Sequence, residues 1–448
     1  MDWYWPIACA AIVAQLLVVY YAASNYHFAA AKFRKKKQPF YRPRTALIIP
    51  CKGIDGHFSS NIRSFFEQDY ESYHLLFVVE DESDPAYQEL HKLLQAAKEE
   101  GAKARRLEDE KAVRPSPVLT FAPSSCEILV AGTSQSCSQK IHNLLYAVDR
   151  VPPETEVLAF ADSDVCVHRD WLSHLVHPLV VRKRGLTTGY RWFIPATNNA
   201  ATLAASALNA AVAQCLGNNR WNRAWGGSMA LHVEDFRRLG IREIWSGTLS
   251  DDLSLSRAVW RAGLRIVFVP ECLVASFESF TWRRLCEFGR RQFLITRVYA
   301  PGAWWLGFLS SLGSVLGLWG GAAAALYAGA THAEHLVLYA AVPIVFFAGQ
   351  LLRAVLRQLA MVKAIGANDY SPGANDRSPL LVRLLPAAVA DVLGCWLWSL
   401  LLLALLLSSA VGRTIRWRGI RYRLVSPTDI RILNNPPIAH ANCKNACV

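Results

Sequence analysis

Val157-Leu158-Ala159-Phe160-Ala161-Asp162-Ser163-Asp164 decides the reading of this chain. Five apolar residues in a row read as a buried β-strand, and the carboxylates that close it are costly to bury without partners. In extended chain, residues two apart point to the same side, so Asp162 and Asp164 face one spot and repel unless a cation lies between them. Hard divalent metals take such oxygen ligands, and Mg²⁺ usually shares itself with substrate phosphates. The triplet therefore points to a metal-assisted site for a diphosphate-bearing substrate. A solvated turn after a strand is the plainer alternative.

Working outward, short apolar runs alternate with helical stretches on both sides of the triplet. Ala46–Ile49, Leu75–Val79, Ile128–Val130 and Ile266–Val269 read as further strands. Ser59–Phe66, Ala86–Glu99 and Ile141–Val148 read as helices, and the polar stretch 101–125 as a variable loop. Alternation of this kind argues for a parallel α/β sheet, whose ligands bind at the carboxyl ends of the strands. Lys52, Asp81 and the Asp162/Asp164 pair all fall at such ends. Ser250-Asp251-Asp252 opens an amphipathic helix, an arrangement that ordinary helix capping also produces. Trp225-Gly226-Gly227-Ser228 marks a tight loop entering a strand, where a substrate approaches the backbone closely or the chain simply turns. No nucleophile elbow, P-loop or Cys/His metal cluster is present, and His142 and His168 stand alone as structural residues.

The flanks are of a different kind. Hydrophobic residues make up 52% of the 448 and the formal charge is +13. Residues 3–23 form a nearly uncharged stretch long enough to span a bilayer, followed by Lys32, Arg34, Lys35, Lys36 and Lys37. A basic cluster after the apolar segment favours an uncleaved anchor with its following chain in the cytosol, over a cleaved signal peptide. Segments 302–328, 336–347 and 387–407 are again apolar, and 200–216 is a shorter apolar stretch suited to an interface. Arg353, Arg357, Lys363, Arg377 and Arg383 place one linker inside, and Arg413, Arg416, Arg418, Arg421 and Arg423 place the tail inside. Three full crossings after a cytosolic domain would leave that tail outside, so one segment is expected not to cross fully. Basic residues crowded beside apolar segments favour the membrane surface over nucleic acid, for which no motif is present. The 11 scattered cysteines, without a CxxC, read as mostly reduced small hydrophobes; Cys443 and Cys447 lie in the polar tail.

The order of these pieces closely resembles the ceramide glucosyltransferase-like family of inverting transferases, which includes bacterial sphingolipid and hopanoid glycosyltransferases. The resemblance covers about residues 46–297. It rests on Pro50-Cys51-Lys52-Gly53-Ile54-Asp55, Val79-Glu80-Asp81, Lys140-Ile141-His142-Asn143-Leu144, Asp162-Ser163-Asp164 and Asp251-Asp252, with Trp417-Arg418-Gly419 and Tyr422-Arg423 similar to the family's tail. The family's (Q/R)xxRW motif falls on Phe288-Gly289-Arg290-Arg291-Gln292, where only Arg291 is retained.

The resemblance implies a GT-A, nucleotide-sugar-binding α/β domain with a mostly parallel sheet on the cytosolic side, joined to α-helical transmembrane segments. Residues 1–25 would be the anchor, 26–44 a basic linker, 45–300 the catalytic domain with an interfacial helix at 280–299, 301–411 membrane segments and 412–448 a basic tail. It implies Asp252 as general base, and Lys52, Asp81, Lys140, Asp162, Arg290 and Arg291 around the donor. Gly226, Gly227, Ser228 and Asp251 would lie on the acceptor side. Asp164 and Asp162 would hold Mg²⁺ or Mn²⁺, the donor would be UDP-glucose, and the acceptor a ceramide-like lipid in the bilayer. Phe280, Trp282, Phe288, Trp304 and Trp305 supply aromatic residues where domain meets membrane. A hopanoid or other lipid N-acetylglucosaminyl or glycosyl transferase, a processive polysaccharide synthase and a non-catalytic membrane scaffold are the competing readings.

Overall fold

The computed structural model describes residues 4–34, 40–111, 123–367 and 380–434. Lys35 to Lys37, Arg377, Cys443 and Cys447 lie outside these residues. After helix α1 (Tyr4–Arg34) the α/β domain begins with β1 (Thr45–Pro50), α2 (Phe58–Phe66), β2 (Tyr73–Val79), α3 (Pro85–Lys111), β3 (Ser125–Val130), α4 (Gln139–Val148) and β4 (Val157–Ala161). It continues through α5 (Trp171–Val176), β5 (Arg184–Pro195), α6 (Ala200–Ala213), β6 (Ser228–His232), α7 (Val233–Arg238), α8 (Ile241–Trp245), α9 (Asp251–Arg261), β7 (Arg265–Glu278) and α10 (Trp282–Tyr299).

Seven strands form one sheet in the order β3-β2-β1-β4-β6-β5-β7. The pairs β2–β3, β1–β2, β1–β4 and β5–β7 are parallel, while β6 runs antiparallel to both β4 and β5. Burial on both faces explains the uninterrupted apolar runs. Leu47, Ile49, Leu75, Phe77, Val157 and Ala159 pack into one core. Their neighbours Ala46, Ile48, Leu76, Val78, Leu158 and Phe160 pack into the other. The period of two assigns successive residues to opposite faces, and both faces are covered by helices.

The sheet is mostly parallel, as the resemblance implies; its antiparallel member β6 enters from the Gly226-Gly227 loop instead of a crossover helix. Two differences from the sequence expectation have physical causes. Strand β5, Arg-Gly-Leu-Thr-Thr-Gly-Tyr-Arg-Trp-Phe-Ile-Pro, was not expected; two glycines and two arginines break any apolar run. The stretch read as a loop from 101 is helical to Lys111, while 112–122 lies outside the described residues.

His168 is buried in this domain, with its Nε2 2.7 Å from the Glu271 carbonyl oxygen. Burial pushes its imidazole down to about 4, against a raising effect of that hydrogen bond. The unfolded chain, titrating near 6.5, therefore takes up the proton first. Stability from the neutral ring is full above pH 6.5 and is lost as pH falls to about 4, roughly 3 kcal/mol in all. Thermal unfolding of the full chain between pH 7 and 4.5 is expected to show this decline, and His168→Gln to flatten it.

Beyond the domain come α11 (Pro301–Val315), α12 (Gly321–Ala330), α13 (Leu336–Ala367), α14 (Leu380–Leu393) and α15 (Cys395–Ala410). A π-helical turn joins α11 to α12. Among the described residues, three helices are long and apolar enough to cross a membrane: Trp5–Phe33, Pro301–Ala330 and Leu336–Ala364. The pair α14 and α15 passes the same test only together, and is bent by 86° at Gly394. A buried ion pair secures the bend. Arg357 of α13 donates from Nε to Asp391 of α14 at 2.6 Å, Gln358 adds a bond at 2.7 Å, and the Trp398 indole of α15 donates to the Asp391 carbonyl at 3.0 Å.

The chain then forms a three-stranded antiparallel sheet of β8 (Thr414–Trp417), β9 (Ile420–Ser426) and β10 (Asp429–Asn434). Ile415, Ile420, Tyr422, Leu424 and Ile430 pack there against Leu249, Leu294 and Tyr299 of the α/β domain. Gly247 is the seat: a Cβ on it would lie 2.6 Å from the Thr428 carbonyl oxygen.

Candidate active site

Lys140 organises the centre. It lies in the first turn of α4, whose N-terminus Ser138 caps by accepting from the Ile141 amide. Its ammonium is 2.7 Å from Asp162 Oδ1, at the end of β4, and 3.0 Å from Asp251 Oδ2, in the first turn of α9. It also donates to the Gly226 carbonyl at 3.4 Å. Burial would lower the lysine, but Asp162 and Asp251 beside it raise it overall, so it stays charged. Burial likewise works against the Asp162 carboxylate, and Lys140 overcomes it, holding that group below its ordinary value. For Asp251, burial pushes up, Lys140 pulls down and Asp252 adds to the rise, leaving it at about 6.

Asp252 sits at the edge of this cluster. Its Oδ2 accepts from the Gly226 amide at 3.2 Å; its Oδ1 accepts from the Ser250 hydroxyl at 2.6 Å and the Leu253 amide at 2.7 Å. The Gly226-Gly227 loop has no room for side chains. A Cβ on Gly226 would lie 2.2 Å from Asp251 Oδ2 and 2.8 Å from Lys140 Nζ, and one on Gly227 2.2 Å from the Trp225 ring. Ser228 is wholly buried, and its hydroxyl accepts from the Trp171 indole at 3.0 Å.

Asp164 lies on the other side of the triplet. Its Oδ2 is 3.7 Å from an Arg191 guanidinium nitrogen of β5, whereas its Oδ1 is buried without a hydrogen-bond partner. Burial and then the neighbouring Asp162 charge raise its carboxyl above the usual range. An orphaned carboxylate oxygen beside a second carboxylate suits a divalent cation that takes its remaining ligands from a diphosphate. Among the described residues no group of three or more His, Cys, Asp or Glu gathers as a metal cage, so protein ligands alone would be too few.

Arg191 also lies over the rings of Phe193, Trp225 and Phe288, at 4.8, 5.5 and 5.6 Å from their centroids. Arg291 of α10 lies over the same Phe288 ring, 5.4 Å from its centroid. Burial, with Arg191, Arg418 and Arg284 nearby, pushes Arg291 down to about 10. Phe193, Phe280, Phe288 and Leu285 pack together with α6 and with Leu401, Leu402 and Leu405 of α15. An apolar wall thus runs from the charged centre to the bent helix pair.

A sequence profile of glycosyl transferase family 21 matches residues 7–104 and 118–430. The chain belongs to glycosyl transferase family 21. It is a glycosyltransferase with an α/β domain built on a mixed, mostly parallel sheet. Among solved structures it is similar to the mannosyltransferase PcManGT from Pyrobaculum calidifontis in complex with GDP-Man and Mn²⁺. That match has 16% identity and a TM-score of 0.42, over 90% of this chain and 97% of the other. GalNAc-T7 with UDP, GalNAc and Mn²⁺ matches at 11% identity and a TM-score of 0.34, over 55% of this chain and 48% of that one.

The remaining expected residues of this family 21 chain fall in different places. Lys52, after β1, pairs at 2.5 Å with Glu80, which is 3% exposed at the end of β2. Asp81 is exposed, and its carboxylate accepts from the Ser83 amide at 2.8 Å, closing a turn. Arg290 points away from the charged centre: its Nε donates to the Ser408 carbonyl and its Nη2 to the Val411 carbonyl, each at 3.0 Å. It anchors α10 to the end of α15. Glu80, Arg191 and Arg418 are near the centre without having been singled out as site residues. Arg191 was hidden in an unread strand, and Glu80 stands beside the acid chosen; Arg418 was visible as part of Trp417-Arg418-Gly419.

Proposed function

We propose that the chain transfers a hexose, glucose from UDP-glucose, to the hydroxyl of a membrane lipid of the ceramide type, with inversion at the anomeric carbon. The observation that carries this reading is the double pairing of Lys140. One ammonium joins the carboxylate triplet, where a donor diphosphate would be held, to the Asp251-Asp252 and Gly226 edge, where an acceptor hydroxyl would arrive. The wall from Phe193 and Phe288 to α15 offers lipid chains an apolar approach to that edge. The orphaned Asp164 Oδ1 favours a catalytic over a scaffolding role, because a buried unpaired carboxylate oxygen is otherwise costly.

In this reading Asp252 takes the proton from the acceptor hydroxyl. The acceptor oxygen bonds to the anomeric carbon, the bond from that carbon to the diphosphate oxygen breaks, and the nucleoside diphosphate departs with the electron pair. Lys140 holds Asp162 and Asp251 in register, and Arg191 and Arg291 stabilise the charge growing on the leaving group. A bound Mg²⁺ or Mn²⁺ on Asp164 and Asp162 would neutralise diphosphate oxygens. Lys52, Glu80 and Asp81 lie towards the nucleoside end.

The same reading gives a membrane arrangement. With the domain cytosolic, helix α1 and the segments 301–330 and 336–364 cross, and the bent pair α14–α15 enters and returns. The tail sheet then emerges on the domain's side, in agreement with its arginines and with its packing on Leu249 and Tyr299.

The test is to supply the purified full chain, in lipid nanodiscs, with radiolabelled UDP-glucose and Mg²⁺ or Mn²⁺. Label in the organic phase, and a hexosyl ceramide by mass spectrometry, are expected. Polymer in the aqueous phase would favour a processive synthase, and label on a sterol-like or hopanoid lipid would move the acceptor. No release of nucleoside diphosphate from any sugar donor would sink the catalytic reading.

A further inference from the structure

Arg418 occupies the tip of the β8–β9 hairpin, between Trp417 and Gly419. Both tip residues are left-handed, with φ of 49° at Arg418 and 88° at Gly419. Two-residue hairpin turns of this hand take positive φ at both central residues, a requirement that Gly419 meets without steric cost. Its Nη1 reaches the Lys52 carbonyl oxygen, 3.5 Å away, across the mouth of the carboxyl-end cleft.

The hairpin is fixed at its other end to the loop that leads into α9. The Thr248 hydroxyl donates to the Pro427 carbonyl at 3.3 Å, and Gly247 accommodates Thr428. Tyr422 brings its hydroxyl to the Gln139 amide, next to Lys140, at 3.4 Å. One rigid element thus touches Lys52, the residue before Lys140 and the loop before Asp251-Asp252.

We propose that the β8–β10 sheet is a strap across the donor site and that Arg418, at its tip, binds the donor's diphosphate together with Arg191 and Arg291. The inference rests on the nucleoside-diphosphate-sugar reading above and adds a binding residue and an element to it. Arg418 lies close enough to Asp162, Asp164 and Arg291 to act on the charge of each. Three guanidinium groups so placed repel one another, and a diphosphate among them relieves the repulsion while taking fork-shaped hydrogen bonds. The strap explains how a chain that departs from (Q/R)xxRW around Arg291 still surrounds a leaving group with arginines: one comes from α10, one from β5 and one from beyond the membrane segments.

The experiment measures binding of UDP and of uridine, with GDP and guanosine in parallel, to the full chain in nanodiscs at fixed Mg²⁺. Arg418→Ala is expected to weaken binding of the diphosphate about tenfold, with uridine affinity unchanged. Arg418→Lys should fall between, because it keeps the charge and loses the fork. Arg416→Ala, on the exposed face of the same hairpin, serves as the control and should change neither. Thermal unfolding of each variant separates binding from folding. Equal affinity of wild type and Arg418→Ala for the diphosphate overturns the proposal, as does a parallel loss of uridine and UDP binding with a lowered unfolding midpoint. Wild-type protein that binds neither nucleotide and transfers no sugar overturns the donor reading itself, a different outcome from either.

Discussion

Asp252→Asn is expected to lower turnover by roughly 10²–10⁴-fold, the usual contribution of a general base, while donor affinity changes less than a few-fold. The geometry makes this substitution informative. The amide oxygen of asparagine can keep the bonds from the Ser250 hydroxyl and the Leu253 amide, so the start of α9 stays capped. Its NH₂ would then face the Gly226 amide, replacing one acceptor with a donor. A role limited to capping would appear as about 1 kcal/mol of stability and little change in rate. Initial rates of nucleoside diphosphate release, with thermal unfolding alongside, decide between the two. Turnover within a few-fold of wild type would remove Asp252 from the base role.

Lys140→Met should combine loss of activity with loss of stability. The lysine side chain is 14% exposed and faces two carboxylates that have few other partners. Removing one member of a buried pair leaves uncompensated charge, at a typical cost of 3–5 kcal/mol. Transfer is expected to fall by at least about 10²-fold, because on the proposed reading the donor and acceptor edges share this cation. The double variant Lys140→Met/Asp251→Asn should regain part of the stability and none of the activity. Unfolding midpoints of the two variants and wild type, read together with rates, test this. An unchanged midpoint for Lys140→Met would mean that the ammonium is not paired as described.

The centre of the fold was legible because burial on both faces leaves an unmistakable record. Val157–Ala161 and Ala46–Ile49 are apolar throughout, and each is followed within three residues by a charged residue of the candidate site. Strand β5 left no such record. It feeds one side chain, Arg191, into the charged centre and places Gly189 where Ser228 of β6 and Cys272 of β7 come close, so its pattern is neither continuous nor alternating. Within the site, positions one residue apart were the hard ones. A strand end offers Glu80 and Asp81 to sequence reading as equals, and only packing shows the first buried against Lys52 and the second in solvent. Arg290 and Arg291 are separated in the same way by the 100° turn of α10: one binds the carbonyls that end α15, the other faces the arginine cluster.

The contact between Arg418 and Lys52 joins positions 366 residues apart. At ordinary rates of synthesis, roughly 20–70 s separate the appearance of the two residues at the ribosome. During that interval the sheet, the carboxylates and Lys140 can already be folded, while the apolar segments 301–330 and 336–364 and the bent pair are still being made. On the membrane arrangement proposed above, a newly made chain would hold an open cleft until insertion, and Arg418 would arrive only if the bent pair returned the tail to the domain's side. On the arrangement and the strap proposed above, misinserted chains would lack the Arg418–Lys52 contact, and sugar consumption would begin only after correct assembly in the membrane.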